Sequence, residues 1–185
     1  MTQETVSAGN GFAVLGLPEI LIDTLDSLNF TTPTPIQAEA IPHVLAGRDI
    51  LGEAQTGTGK TAAFGLPALA RIDCDKRAAQ LMVLAPTREL ALQIESDAKD
   101  LTKFTDLHLV TLLGGVDFDK QKAQLDKQFV DIIVATPGRL IDFVEQKEVW
   151  LDQIEFLVID EADRLLDMGF IPSVKRIVRY SPRKE

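Results

Sequence analysis

With 185 residues, 45% of them hydrophobic and 25% charged, the chain has an ordinary globular composition that argues against disorder and fits a single domain. Its one cysteine, Cys74, excludes an internal disulfide, is read as a thiol without a role, and suits a reducing, cytoplasmic setting. No apolar run approaches the roughly 18 residues that cross a bilayer, and the net charge of −9 by itself counts against binding nucleic acid, although a site is local and net charge is a sum.

Residues 1–11 read as a flexible tail ahead of a domain over residues 12–185. A helix is expected over residues 18–28. Pro33 and Pro35, two apart, forbid a helix around them and force an extended turn. A second helix follows over residues 36–45. Short apolar runs rich in branched side chains then recur at residues 49–52, 80–85, 108–113, 131–135 and 155–159. The stretches between them carry helical spacing; Leu90, Ile94, Ala98 and Leu101 would share one face. Apolar runs alternating with amphipathic helices predict buried parallel strands, and each connection must cross over. The expected fold is α/β, a three-layer sandwich around a mainly parallel central sheet.

Ligands of such sheets bind beyond the carboxyl ends of the strands. Polar clusters follow the five apolar runs, at residues 54–61, 86–93, 114–115, 136–139 and 160–163. Together they predict one functional rim. The first cluster, Ala54-Gln55-Thr56-Gly57-Thr58-Gly59-Lys60-Thr61, fits a phosphate loop with alanine in place of the usual first glycine. Gly57 and Gly59 let the backbone curl its N–H groups around a phosphate, and the helix behind adds its dipole. Lys60 would reach the β and γ phosphates, and Thr61 would offer its hydroxyl to Mg²⁺.

The last cluster, Asp160-Glu161-Ala162-Asp163, ends an apolar strand. By itself it could be an acidic helix cap. Paired with a phosphate loop it predicts Asp160 as a Mg²⁺ ligand, through waters, and Glu161 as the group that orients the attacking water.

Asp160-Glu161-Ala162-Asp163, with the flanking stretch from Val158 to Phe170, resembles the signature of the DEAD-box RNA helicases. That family writes its phosphate loop with alanine first. Gln37 in Pro33-Thr34-Pro35-Ile36-Gln37 resembles the family's adenine-reading glutamine, with Phe12 placed 25 residues earlier to stack on the base. A carboxamide can donate to and accept from adenine at once. Asn29 stands where the family usually has glycine, and asparagine tolerates a left-handed turn. Pro86-Thr87-Arg88, Gly114-Gly115 and Thr136-Pro137-Gly138-Arg139 resemble three RNA-backbone motifs. Six motifs in order cover nearly all of residues 12–180, and residues 114–170 look most like bacterial members.

The resemblance implies a RecA-like domain that binds ATP or ADP with Mg²⁺ through Phe12, Gln37, Gln55, Thr56, Gly57, Thr58, Gly59, Lys60 and Thr61. Lys60, Asp160 and Glu161 would be catalytic. It implies RNA and a second RecA-like domain as partners, with no membrane role. The family's Ser-Ala-Thr motif and second domain would lie beyond residue 185. The strand bearing that motif sits beside the acidic strand, so its absence would leave unpaired edges. A chain without them is expected to bind adenine nucleotide, bind RNA weakly and hydrolyse ATP negligibly. His43, His108 and Trp150 are expected to be structural, and the basic residues from Lys175 to Lys184 to complement a helix end. Two rival readings are a phosphate-loop NTPase of another kind and a non-catalytic protein-docking module. The first lacks the Asn-Lys-x-Asp stretch with which a GTPase reads guanine.

Overall fold

The computed structural model describes residues 10–52 and 59–182. They fall into two compact units, one running to Arg71 and including Asp100–Thr105, the other comprising Ile72–Lys99 and the chain from Asp106 onward.

The first unit is helical. Asn10 opens it by accepting from the Phe12 amide at 2.9 Å, which caps the short 3-10 helix Gly11–Leu15. The Asn10 carboxamide also donates to Asp26 Oδ1 and to the Phe30 carbonyl, both at 2.7 Å. Gly11 N donates to the Thr31 carbonyl at 2.8 Å. These bonds make Asn10 and Gly11 part of the folded unit, which corrects the expected tail of residues 1–11; residues 1–9 lie outside the described residues. Helix α1 (Glu19–Ser27) starts after Pro18, whose missing N–H costs nothing at a helix start. Past its end Asn29 takes φ 60°, the left-handed turn expected of it. Helix α2 (Pro35–Leu45) begins in a reciprocal cap between Thr34 and Gln37, and α3 (Lys60–Arg71) packs against it. Phe12, Leu25, Ile41 and Leu66 form the buried interior of this unit.

Residues 49–52, expected to be the first strand, carry no strand, and Leu51 is 92% exposed. An apolar run supplies the side chains of a strand but not the backbone partners that make one. Among the described residues the sheet therefore has four strands rather than five.

That sheet is the centre of the second unit. Its elements are β1 (Leu81–Leu84), α4 (Arg88–Leu101), β2 (Leu109–Leu112), α5 (Phe118–Lys127), β3 (Ile132–Ala135), α6 (Pro137–Glu145), β4 (Phe156–Ile159), α7 (Ala162–Asp167) and α8 (Ile171–Tyr180). The strand order is β2-β3-β1-β4, and every pair is parallel, with Leu81 opposite both Ile132 and Phe156. Alternation sends Met82, Leu84, Val110, Leu112, Ile133 and Ala135 to one face, where Leu140, Phe143, Val174 and Ile177 of α6 and α8 complete the core. On the other face Thr111 meets Glu95 of α4. Helices thus cover both faces, as a three-layer sandwich requires. The inner strands β1 and β3 are fully buried, whereas β4, paired on one side only, is partly open.

The ladder continues one residue past the strands. Ala85 N donates to Ala135 O at 3.0 Å, Thr136 N to Leu112 O at 3.1 Å and Asp160 N to Leu84 O at 3.0 Å. These bonds deliver residues 86, 136 and 160 together at the carboxyl end of the sheet.

Candidate functional site

In the first unit the described part of the phosphate loop is Gly59, Lys60 and Thr61. Gln55, Thr56, Gly57 and Thr58 lie outside the described residues. Lys60 and Thr61 open α3, both half-buried, where the amides of a first helical turn lack intrahelical acceptors. Gly59 sits at φ 83°. Gln37 is 7% exposed, and its carboxamide is engaged at both ends: Oε1 accepts from Thr34 N at 2.9 Å and Nε2 donates to Gly59 O at 3.1 Å. Phe12 is 1% exposed, so neither face of its ring is open to a base in this form.

In the second unit Asp160 and Glu161 leave the end of β4. Asp160 Oδ1 accepts from Glu161 N at 2.9 Å. Glu161 caps α7 from a left-handed backbone, φ 48° and ψ 54°, and its carboxylate meets Arg164 Nη1 at 3.3 Å. For a residue with a Cβ that conformation stores about 1 kcal/mol or more of strain, and such strain gathers at functional sites. No group of three His, Cys, Asp or Glu among the described residues could cage a metal. A hard carboxylate such as Asp160 suits Mg²⁺, which keeps waters and takes one or two carboxylates beside substrate phosphates.

The three remaining clusters converge on the same sheet end. Pro86 is buried, and Thr87 Oγ1 accepts from Leu90 N at 3.2 Å, which caps α4. Arg88, exposed, lays its guanidinium on Gly115, where an added Cβ would stand 3.1 Å from Nη1. Gly115 itself takes φ 78°. Gly114 N donates to Thr136 Oγ1 at 3.1 Å. Thr136 precedes α6, with Pro137 in its first turn; Gly138 is exposed and a Cβ there would meet nothing within 4 Å. Arg139 turns inward: Nη1 donates to Val116 O at 2.7 Å and to Gln121 Oε1 at 3.1 Å. Ends of β1, β2 and β3 that are far apart in the chain thus present a guanidinium, hydroxyls and glycine backbone on one surface. Nucleic-acid phosphates are held by such groups. Sequence reading missed Gln121, because a glutamine in the polar run of α5 carries no signal that it is buried at 4% exposure.

Residues 34–185 match the DEAD/DEAH box helicase family. The chain is 49% identical over 171 residues to the ATP-dependent RNA helicase RhlB of Pseudomonas syringae pv. tomato, covering 89% of this chain and 43% of that protein. It is 46% identical over 171 residues to the DEAD-box ATP-dependent RNA helicase CshA of Bacillus anthracis, covering 92% of this chain and 32% of that protein. Among solved structures, a DEAD box protein from the hyperthermophile Methanococcus jannaschii superposes with a TM-score of 0.86 at 31% identity, over 93% of this chain and 47% of that one. The chain spans less than half the length of each of these relatives.

Proposed function

The chain belongs to the DEAD/DEAH box helicase family, and from that premise we propose that it is the ATP-binding RecA-like domain of an ATP-dependent RNA helicase, working with a second RecA-like domain. The activity of the whole protein is ATP hydrolysis coupled to local RNA unwinding, in the cytoplasm. One observation carries the reading of this chain: Arg88 on Gly115, and Gly114 on Thr136, join three strand ends into one surface beside the acidic end of β4.

In the first unit Lys60 holds the β and γ phosphates, Thr61 offers a hydroxyl oxygen, and Gln37 reads adenine. In the second, Asp160 holds Mg²⁺ through waters, and Glu161 orients the attacking water and draws on its proton. Bound Mg²⁺ supplies charge neutralisation at the phosphates. Pro86, Thr87, Arg88, Gly114, Gly115, Thr136, Pro137, Gly138 and Arg139 make up the RNA surface. Its contacts are to the backbone, which fixes the strand's course without reading its sequence. The net charge of −9 predicts weak and strongly salt-dependent RNA affinity.

A thermal unfolding series with Mg²⁺ and ADP, ATP or GDP, on the chain and on Gln37→Ala, tests the nucleotide half. A ligand at about 100 times its Kd adds roughly 2.7 kcal/mol to a fold that alone binds it. ADP and ATP should raise the midpoint, GDP should not, and Gln37→Ala should abolish the distinction. Equal stabilisation by GDP would move the general phosphate-loop NTPase ahead. The acidic net charge favours a protein-docking module as the second reading; protein binding that ignores both nucleotide and Lys60→Ala would support it.

A further inference from the structure

We infer that Gln121 is a positioning residue of the RNA surface, and that Arg139 serves that surface from inside the fold rather than by touching phosphate. The inference rests on the RNA reading above. A Gly-Gly turn is by nature permissive, so a turn that must present a fixed backbone needs outside restraint. Here the restraint is visible. Gln121 Nε2 donates to the Leu113 carbonyl at 3.1 Å, just before the glycine pair. Arg139 Nη1 donates to the Val116 carbonyl at 2.7 Å, just after it. The Gly114 amide is held by Thr136 Oγ1 at 3.1 Å. Gln121 Oε1 then accepts from the same Arg139 Nη1 at 3.1 Å, which joins the two carbonyl clamps into one.

Arg139 is poorly placed to bind phosphate. Both Nη1 hydrogens have acceptors, its side chain is only 14% exposed, and Asp142 stands 3.8 Å from Nε. Nε itself is buried without a hydrogen-bond partner. Below, the guanidinium carbon sits 5.8 Å from the centre of the Phe118 ring, which stacks on Phe143 at 4.2 Å. A guanidinium bedded on an aromatic ring, with Nη1 given to two internal oxygens, is built to hold a loop. Gln121 is the buried hub that gives it direction.

The test uses the 185-residue chain, a fluorescein-labelled oligouridine read by anisotropy across a salt series, and amide hydrogen exchange. Gln121→Leu should weaken RNA binding about fivefold or more, the loss expected for buried hydrogen bonds of this kind. Its log–log salt slope should stay unchanged, because no phosphate contact is lost. Exchange at residues 114–118 should quicken, since the turn has lost a clamp. Gln121→Glu keeps an acceptor for Arg139 but loses the donor to Leu113, and should fall between the two; it serves if Gln121→Leu does not fold. Arg139→Gln should also weaken binding with the slope unchanged. A slope reduced by about 0.7 would show that Arg139 neutralises a phosphate and would overturn the inference. Unchanged exchange at the turn would overturn it without reference to RNA. RNA binding untouched by Gln121→Leu removes the positioning role alone, whereas a wild-type chain that binds no oligouridine at low salt removes the RNA reading and this role with it.

Discussion

Gly59 and Gln37 are in direct contact: the Gln37 Nε2 donates to the Gly59 carbonyl at 3.1 Å, and a Cβ added to Gly59 would stand 2.2 Å from that nitrogen. The glutamine expected to read adenine is therefore also a strut under the phosphate loop. Gly59→Ala must expel the carboxamide and force a side chain into φ 83°. The expected cost is about 1–3 kcal/mol, with weaker ADP binding besides. Urea denaturation with and without ADP checks both, and a variant of wild-type stability would show that the contact is dispensable.

Thr34 caps α2 in reciprocity with Gln37, accepting from its amide and donating its own N–H to Oε1 at 2.9 Å. Thr34→Ala should cost about 1 kcal/mol and Thr34→Ser much less, because serine keeps the capping oxygen. Because the cap also orients Gln37, Thr34→Ala should reduce the preference for ADP over GDP in the thermal series. Stability loss with an unchanged preference would separate the cap from nucleotide reading.

Two carboxylates, buried Asp131 and half-buried Glu95, give opposite acid responses. Burial pushes the Asp131 carboxyl up, against a hydrogen bond from the His108 amide and the electrostatic pull of the His108 side chain. The folded state then holds that proton more tightly than the unfolded state, so stability falls as pH rises from the ordinary aspartate range through the raised folded value and is level above it. Asp131→Asn keeps an acceptor for His108 N and should remove that fall. Burial also pushes Glu95 up, but hydrogen bonds from Lys99 and Thr111 and the Lys99 charge outweigh it and hold the carboxyl below its ordinary value. Its contribution is present above the ordinary glutamate range and is lost as pH falls through the folded value. Lys99→Ala should move that loss to higher pH. Denaturation midpoints across a pH series distinguish the two slopes.

Glu161 holds a left-handed backbone that glycine adopts freely. Glu161→Gly should raise the unfolding free energy by about 0.5–1 kcal/mol, and the denaturation midpoint with it, since the ion pair it gives up, to an exposed Arg164, is worth little. In the whole protein the same change should abolish ATP hydrolysis while ADP binding persists. A lower midpoint would mean that the conformation carries no strain.

Much of this protein was readable one residue at a time. Branched apolar runs located β1 to β4, because a buried parallel strand needs apolar side chains on both faces. Polar clusters after those runs marked the rim, since loops at strand ends are where chemistry fits. Asn29 announced its turn because few side chains tolerate that backbone, whereas the reciprocal cap between Thr34 and Gln37, though written within four residues, was seen only in the folded chain.

What the sequence determined by itself is therefore local: element type, caps, turns and the order of the motifs. Partnership was decided only by the tertiary structure. Residues 49–52 have the composition of a strand and do not form one, because a strand exists only where another segment answers its backbone hydrogen bonds. Phe12 reads as a base-stacking ring, and packing buried it. Arg139 reads as a residue of an RNA-backbone motif, and the carbonyl of Val116 and the carboxamide of Gln121, 23 and 18 residues away, turned it inward. Side-chain chemistry is written in the residue; which atom it meets depends on distant segments whose approach only the folded chain sets.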